Sequence, residues 1–452
     1  MLVSLERLAE RGWISAERLN ALPQDTACVD YEQVRARKLP LLREAATNFL
    51  RSAPSQWRAR FEQFRRENAS WLEGYVLFEN LRQRFGDASW NQWPAELARR
   101  EPAALAQKRS ELSNDLDISA VIQFAFFEQW RALHAACRAS GIKIVGDIAI
   151  FVSYDSADVW THPELFQLTS SLEPDVVAGV PPDAFSATGQ RWGNPLYRWD
   201  VLRERGYEWW VNRVRWALTT CDILRLDHFR GFEKYWEIPG GEETAVNGRW
   251  VEGPKDELFY ALSQALGGEL PFIAEDLGFI TPEVHDLRER LRVPGMRVMQ
   301  FGFGDPGAHV YLPHRFEKNT VVYTGTHDND TMVGWWQSGA TENERKAAAA
   351  YLGLNSSGKD AHEVHWAFIR ALETSVADLC IIPMQDVLGL GSDARMNVPS
   401  RSDGNWGWRC PYPIPHEIIE RLAELTRIAD RDVGLLAPGQ QGYREVREDF
   451  AA

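Results

Sequence analysis

The sequence predicts an α/β fold of the (β/α)8 TIM-barrel type, entered through a run of helices. Three observations predict it. Six short apolar runs, three of them closing on an acid, are spread between residues 142 and 384. Helical patterns or long loops separate them, and repeated strand-then-helix units point to a parallel sheet. Polar groups at the C-terminal ends of such strands are what a barrel active site uses. The count falls short, because six strands are legible and a barrel needs eight. Either two are concealed in the N-terminal third or the chain lacks them.

Taken in order, residues 1 to about 135 read as helical. Leu2, Leu5, Leu8 and Ala9 recur at helical spacing, and Trp13-Ile14-Ser15 opens a second helix. Val34, Leu39, Leu42 and Phe49 keep a period of 3.6 within Tyr31 to Phe64. Another helix starts at Asn68-Ala69-Ser70-Trp71-Leu72, and Gly86-Asp87 and Trp93-Pro94 are breaks. A long helix follows from about Asp115 to Ser140. The six strands are Ile142–Asp147, Asp222–Asp227, Phe272–Glu275, Met296–Phe301, Val321–Tyr323 and Leu379–Met384. Trp209–Leu218, Lys255–Ala265, Glu342–Leu352 and His362–Asp378 are the helical stretches between them. The end after Asp432, Val433 to Gly442 included, reads as loosely ordered. The expected organisation is a helical part at 1–135, strands and helices with their loops at 136–430, and a tail at 431–452.

The totals exclude several functions. A net charge of −14 argues against nucleic acid, whose backbone demands a basic face, and gives no reason to expect a membrane partner. No run of 18 apolar residues occurs, and the first residues lack the apolar core of a signal peptide. The five cysteines are scattered and form no C-x-x-C pair, which predicts free, mostly buried thiols in a reducing, cytoplasmic compartment. Nineteen Trp stand out. Most are expected in the core, but a ring with a flat apolar face and a polar edge also suits the face of a sugar.

Three strand ends carry carboxylates. In Ile223-Leu224-Arg225-Leu226-Asp227, side chains alternate with period two, so Arg225 and Asp227 point to one side. A cation beside a carboxylate favours its charged form. That pattern makes either a nucleophile or a plain structural ion pair. The second end is Ile273-Ala274-Glu275-Asp276-Leu277-Gly278, and the third is Thr326-His327-Asp328-Asn329-Asp330-Thr331. Acids at the same end of three strands of one barrel would converge on one pocket. Glycosidic chemistry needs such a set: one carboxylate attacks the anomeric carbon while a second, kept protonated, protonates the leaving oxygen. In retaining enzymes the two stand about 5 Å apart. A metal site is the competing use, but no H-x-H, H-E-x-x-H or calcium-loop spacing is present. Nor is there a G-x-S-x-G, a phosphate loop or a dinucleotide-binding glycine pattern.

These segments strongly resemble the 4-α-glucanotransferases, the amylomaltases or disproportionating enzymes of the α-amylase clan. The resemblance rests on Arg225–Gly231, Ala274–Gly278 and Thr326–Thr331. It extends to Gly146-Asp147, Asp155–Trp160, Gly179–Asp183, Gly189–Pro195, Tyr235–Pro239 and Arg395-Met396-Asn397. It implies that Asp227 is the nucleophile, Glu275 the general acid and then base, and Asp328 the transition-state stabiliser. Arg225 and His327 would flank them, and Asp147 would bind the donor sugar. Asp183, Gln190 and Trp192 would belong to a loop over the cleft at 179–195, with Asn397 also binding substrate. The helical first part would be a subdomain inserted in the barrel. Malto-oligosaccharides and α-1,4-glucans are the implied partners, with no metal or organic cofactor. The resemblance also implies two further strands ahead of Met1, so the barrel is expected to lack its first two strands and to expose the edges at 142–148 and 379–384. Transfer is the implied reaction. A hydrolase, or an inactive glucan-binding fragment, would share the same acids.

Overall fold

The computed structural model describes residues 1–21, 28–183, 186–278, 280–304, 306–359, 363–399, 401 and 403–432. The expected loose end at Val433–Gly442 and the His362 start of one helical stretch lie outside the described residues. The chain forms two compact units. One comprises Met1–Gln24 and Tyr31–Val293, the other Asp25–Asp30 and Pro294–Ala452.

Helices dominate the first 139 residues. Ser4 caps the helix Leu5–Glu10 by accepting a hydrogen bond from the backbone N–H of Arg7, and Leu5 and Leu8 are buried. The helices Tyr31–Ser52, Ser55–Glu67 and Ala69–Arg84 follow, the first carrying Pro40 within it. The helix Ser113–Ala139 buries Leu116, Val121, Phe124 and Phe127 on one face. Phe124 is enclosed by Trp13, Phe49, Trp57, Phe61 and Phe64, with ring centroids between 5.6 and 6.3 Å. Truncating so enclosed a ring leaves a cavity, so Phe124→Ala is expected to destabilise the first unit by about 3–5 kcal/mol in denaturant unfolding followed by Trp fluorescence.

Ten strands occur among the described residues: β1 Val145–Ala149, β2 Val176–Val180, β3 Gln190–Pro195, β4 Ile223–Asp227, β5 Lys234–Pro239, β6 Arg249–Glu252, β7 Phe272–Ala274, β8 Gly295–Val298, β9 Thr320–Tyr323 and β10 Leu379–Ile381. The first unit holds the parallel sheet β1-β4-β7 and the four-stranded antiparallel sheet β3-β2-β5-β6. The second holds the parallel sheet β10-β9-β8.

The expected TIM barrel is therefore corrected. All six predicted strands exist, but they form two separate three-stranded sheets that do not close, and a further four-stranded sheet, β3-β2-β5-β6, forms from stretches in which the sequence predicts no strand. A barrel short of only its first two strands would leave two free edges, at β1 and β10. Among the described residues β7 pairs only with β4, and β8 pairs only with β9, so each sheet ends there as well. Closure needs an unbroken hydrogen-bond ladder, and strands of three to five residues separated by long insertions form local ladders instead.

The core follows the same division. In the first unit Leu224, Leu226, Phe272 and Ala274 join the aromatic helical core. In the second, Met299, Val322, Met332, Trp336 and Phe368 pack together. Gly146 in β1 allows close approach, since a Cβ there would lie 2.7 Å from the Cys221 sulfur. The expectation of mostly buried thiols is also corrected. None of the five cysteines is joined in a disulfide, but only Cys221 is buried, and Cys28 and Cys410 are exposed. No described helix is long and apolar enough to cross a membrane.

Candidate active site

β4 is paired on both sides, to β1 and to β7, and all three run parallel. Their polar ends therefore share one edge. Leu224 and Leu226 are buried while Ile223, Arg225 and Asp227 are only partly so, which is the period-two pattern of a strand with one face in the core. Register sets Asp147 opposite Arg225 and Ala149 opposite Asp227.

Arg225 is the hub of this edge. Its Nη1 lies 2.9 and 3.0 Å from the two Asp147 oxygens and 2.9 Å from Asp227 Oδ1. Burial opposes its charge, yet Asp147, Asp227 and Glu275 together hold its pKa above the ordinary guanidinium value. The cation is thus permanent, and it faces Asp227 where the sequence placed it.

Glu275 follows directly on β7. Its Oε2 accepts a hydrogen bond from the backbone N–H of His228 at 2.8 Å, and its Oε1 accepts one from the N–H of Leu277 at 3.0 Å. Burial is the largest influence and pushes its pKa up, to about 7; Arg225 pulls it down, Asp227 pushes it up, and the two backbone donors pull it down. The next residue turns the other way. Asp276 is buried, with Arg288 Nε at 3.6 Å. Adjacent acids at one strand end therefore do different things, one facing the site and one tied into the core.

His228 holds a left-handed backbone at φ 50°, which aims its N–H at Glu275. Burial, then Arg230, pushes its ring down to about 3, so the imidazole is neutral. Trp192 packs edge-on against that ring at 4.9 Å between centroids. Trp192 stands on β3, 38% exposed, and its indole N–H donates to Gln190 Oε1 at 3.1 Å. Asp183 lies ahead of β3, where its carboxylate accepts from the Ser186 N–H at 2.7 Å. The structure thus gathers Asp147, Arg225, Asp227 and Glu275 at one strand edge, and brings Trp192, which Gln190 orients, to His228.

His327, Asp328 and Asn397 belong to the second unit. The loop leaving β9 carries Asp328, whose Oδ1 accepts from Asn397 Nδ2 at 2.6 Å and whose Oδ2 lies 3.4 Å from His327 Nε2. Arg395 donates to the Asp328 carbonyl at 2.6 Å and to the Asn397 carbonyl at 2.8 Å. Trp406, 45% exposed, faces the His327 ring at 5.2 Å. Sequence reasoning passed over Trp406 and the backbone of His228. The signal for the first was available: two Trp in the polar, glycine-bearing stretch Asp403-Gly404-Asn405-Trp406-Gly407-Trp408 are poorly placed for a core.

The Arg225 cation should be measurable at a distance. Because it pulls Glu275 down, Arg225→Met is expected to move the Glu275 carboxyl titration above about 7, as read by difference infrared spectroscopy. An unchanged titration would show that the guanidinium does not act on Glu275.

Comparison with known proteins identifies the family. The family model described as "4-alpha-glucanotransferase" matches residues 1–414. The 4-alpha-glucanotransferase of Thermus thermophilus is 47% identical over 95% of this chain and 86% of its own. That of Synechocystis sp. is 44% identical over 96% of this chain and 85% of its own. A solved amylomaltase from Streptococcus agalactiae, in complex with acarbose, superposes with a TM-score of 0.89 at 36% identity, covering 95% of this chain and 86% of the other. The chain belongs to the 4-alpha-glucanotransferase family and is a glycosyltransferase.

Proposed function

We propose that this enzyme transfers α-1,4-glucan segments between malto-oligosaccharides by a retaining double displacement. The carrying observation is the contrast at one strand edge. Asp227 sits 2.9 Å from a permanent guanidinium, while Glu275 is pushed up to about 7. Two neighbouring carboxyls whose surroundings favour opposite charge states suit a nucleophile and an acid.

In the first step an Asp227 oxygen forms a bond to the anomeric carbon as the glycosidic C–O bond breaks. The proton on Glu275 goes to the leaving 4-oxygen, and the leaving glucan departs with a free 4-hydroxyl. Glu275 is then a carboxylate. In the second step it takes the proton from the 4-hydroxyl of an acceptor glucan, whose oxygen displaces Asp227. The net configuration is retained and Glu275 is protonated again. Asp328, positioned by Asn397, is assigned to the hydroxyls of the sugar whose ring becomes positive, with His327 flanking it. Asp147 binds the donor sugar, and Trp192, held by Gln190, offers its exposed ring to a sugar face; Asp183 lies in the same approach. The relatives' names support transfer over hydrolysis, and the acarbose bound to the S. agalactiae amylomaltase supports a glucan-like ligand.

Incubation with maltotriose tests the proposal. Glucose together with maltopentaose and longer chains is the expected outcome. Glucose and maltose without elongation would mean hydrolysis, and an unchanged substrate would overturn the proposal.

A further inference from the structure

The loop that presents Asp328 leaves β9 at Thr324 and enters the next helical turn at Met332. Both ends are fully buried, and both are bound to the same side chain. Thr324 Oγ1 donates to Asp386 Oδ2 at 2.5 Å, and the Met332 N–H donates to Asp386 Oδ1 at 2.6 Å. Asp386 is 1% exposed, on the short helix Met384–Val387 that follows β10. Each oxygen of one carboxylate thus holds one end of a nine-residue span, and Asp328 lies midway along it.

The remaining contacts of the span fix its course between those ends. Asn329 Oδ1 accepts from the Thr326 N–H and hydroxyl at 2.8 and 2.9 Å. Gln300 Nε2 donates to the Asp330 carbonyl at 2.8 Å, and Ser392 Oγ donates to Asp330 Oδ2 at 2.7 Å. None of these residues joins the two ends. Asp386 does, and it is a group the fold disfavours. Burial, ahead of the nearby Asp330 charge, pushes it up to about 6 even though Thr324 and Met332 pull it down. A buried carboxylate is poor stability material, since apolar side chains of similar volume often serve as well or better.

We propose that Asp386 is a positioning residue for the transfer reaction: it clamps residues 324 and 332 together so that the Asp328 carboxylate is held in its working place. This rests on the role proposed above for Asp328. The clamp acts on a group assigned to the transition state, so its loss should fall on turnover and spare ground-state binding.

The experiment is a double-mutant cycle on maltotriose disproportionation. Asp386→Ala removes both hydrogen bonds and is expected to lower kcat by roughly ten- to a hundredfold, with KM within about twofold. Asp386→Asn keeps an acceptor for Met332 and a donor for the Thr324 hydroxyl, and should restore kcat to within about threefold of wild type. In an Asp328→Asn background, with an α-maltosyl fluoride donor to give measurable turnover, Asp386→Ala should cause no further loss, because there is nothing left to position. Should Asp386→Ala fail to fold by circular dichroism, Thr324→Val, which removes one bond at constant volume, takes its place in the cycle. Wild-type kcat in the clamp variant, or the same fractional loss in both backgrounds, would overturn the proposal. If Asp328→Asn itself kept wild-type kcat, the reading of Asp328 would be wrong and the clamp would fall with it. A disabled Asp328→Asn beside a fully active Asp386→Ala sinks the clamp alone.

Discussion

Asp227→Asn is expected to lower transfer from maltotriose by roughly four orders of magnitude or more, with the fold intact. The amide keeps the shape of the carboxylate and can still accept from Arg225, but it cannot form the ester on which a double displacement depends. The paired measurement uses the wild-type protein. Rapid acid quench with α-maltosyl fluoride, followed by peptide mass spectrometry, should find one maltosyl unit on the peptide that carries Asp227. A label on another residue, or full turnover in the variant, would remove Asp227 from its assigned role.

Glu275→Gln should be nearly as damaging with maltotriose, roughly a thousandfold in kcat, and much less so with α-maltosyl fluoride. Fluoride leaves without a proton, so the first step no longer needs the acid. In the wild type, the acid form is available below about 7, so kcat/KM with maltotriose should fall as pH rises through that value. The Gln variant, assayed with the fluoride donor, should lack that limb. The same group affects stability in a defined direction. Its folded pKa is raised from 4.5 to about 7, so the native state binds more protons than the unfolded state within that window. Stability from this group is therefore present at low pH, is lost as pH rises through the window, and stays lost above it. Glu275→Gln should melt above wild type at pH 8 and level with it near pH 4. A pH-independent difference would mean that burial does not set this titration.

Much of the site was legible because it is built from strand periodicity. Leu224 and Leu226 alternate with Arg225 and Asp227, and that alternation alone places the cation and the carboxylate together. The distinct state of Glu275 was not legible, because it depends on burial and on N–H donors from His228 and Leu277, which only the folded chain supplies. Asp386 escaped notice for a related reason. Within Pro383-Met384-Gln385-Asp386-Val387 a single acid reads as an ordinary helical residue, and nothing in the spacing shows that Thr324 and Met332 bind it. At the level of the fold, β7, β8 and β9 were found as short apolar runs. β3 and β6 were missed because Gln190–Pro195 and Arg249–Glu252 are polar, partly exposed and interrupted or flanked by Gly and Pro. The barrel was wrong for a different reason. Strand content and strand-end chemistry are local, whereas closure depends on which edges pair, and local sequence says little about that.

The two sheets of the first unit give the site parts of unequal stiffness. β4 carries Arg225 and Asp227 with a strand hydrogen-bonded on either side. β3 carries Gln190 and Trp192 on the outer rim of its sheet, joined among the described residues to β2 alone, across an irregular register between Val177 and Gly179. Backbone amides with one-sided pairing exchange with solvent through small local openings, while a central strand opens only with its whole sheet. Arg225 and Asp227 therefore stand on slow-exchanging backbone, and the aromatic wall beside them stands on fast-exchanging backbone. An arriving glucan would meet a fixed floor and a yielding side, and deuterium uptake along β3 should register its arrival before anything in β4 does.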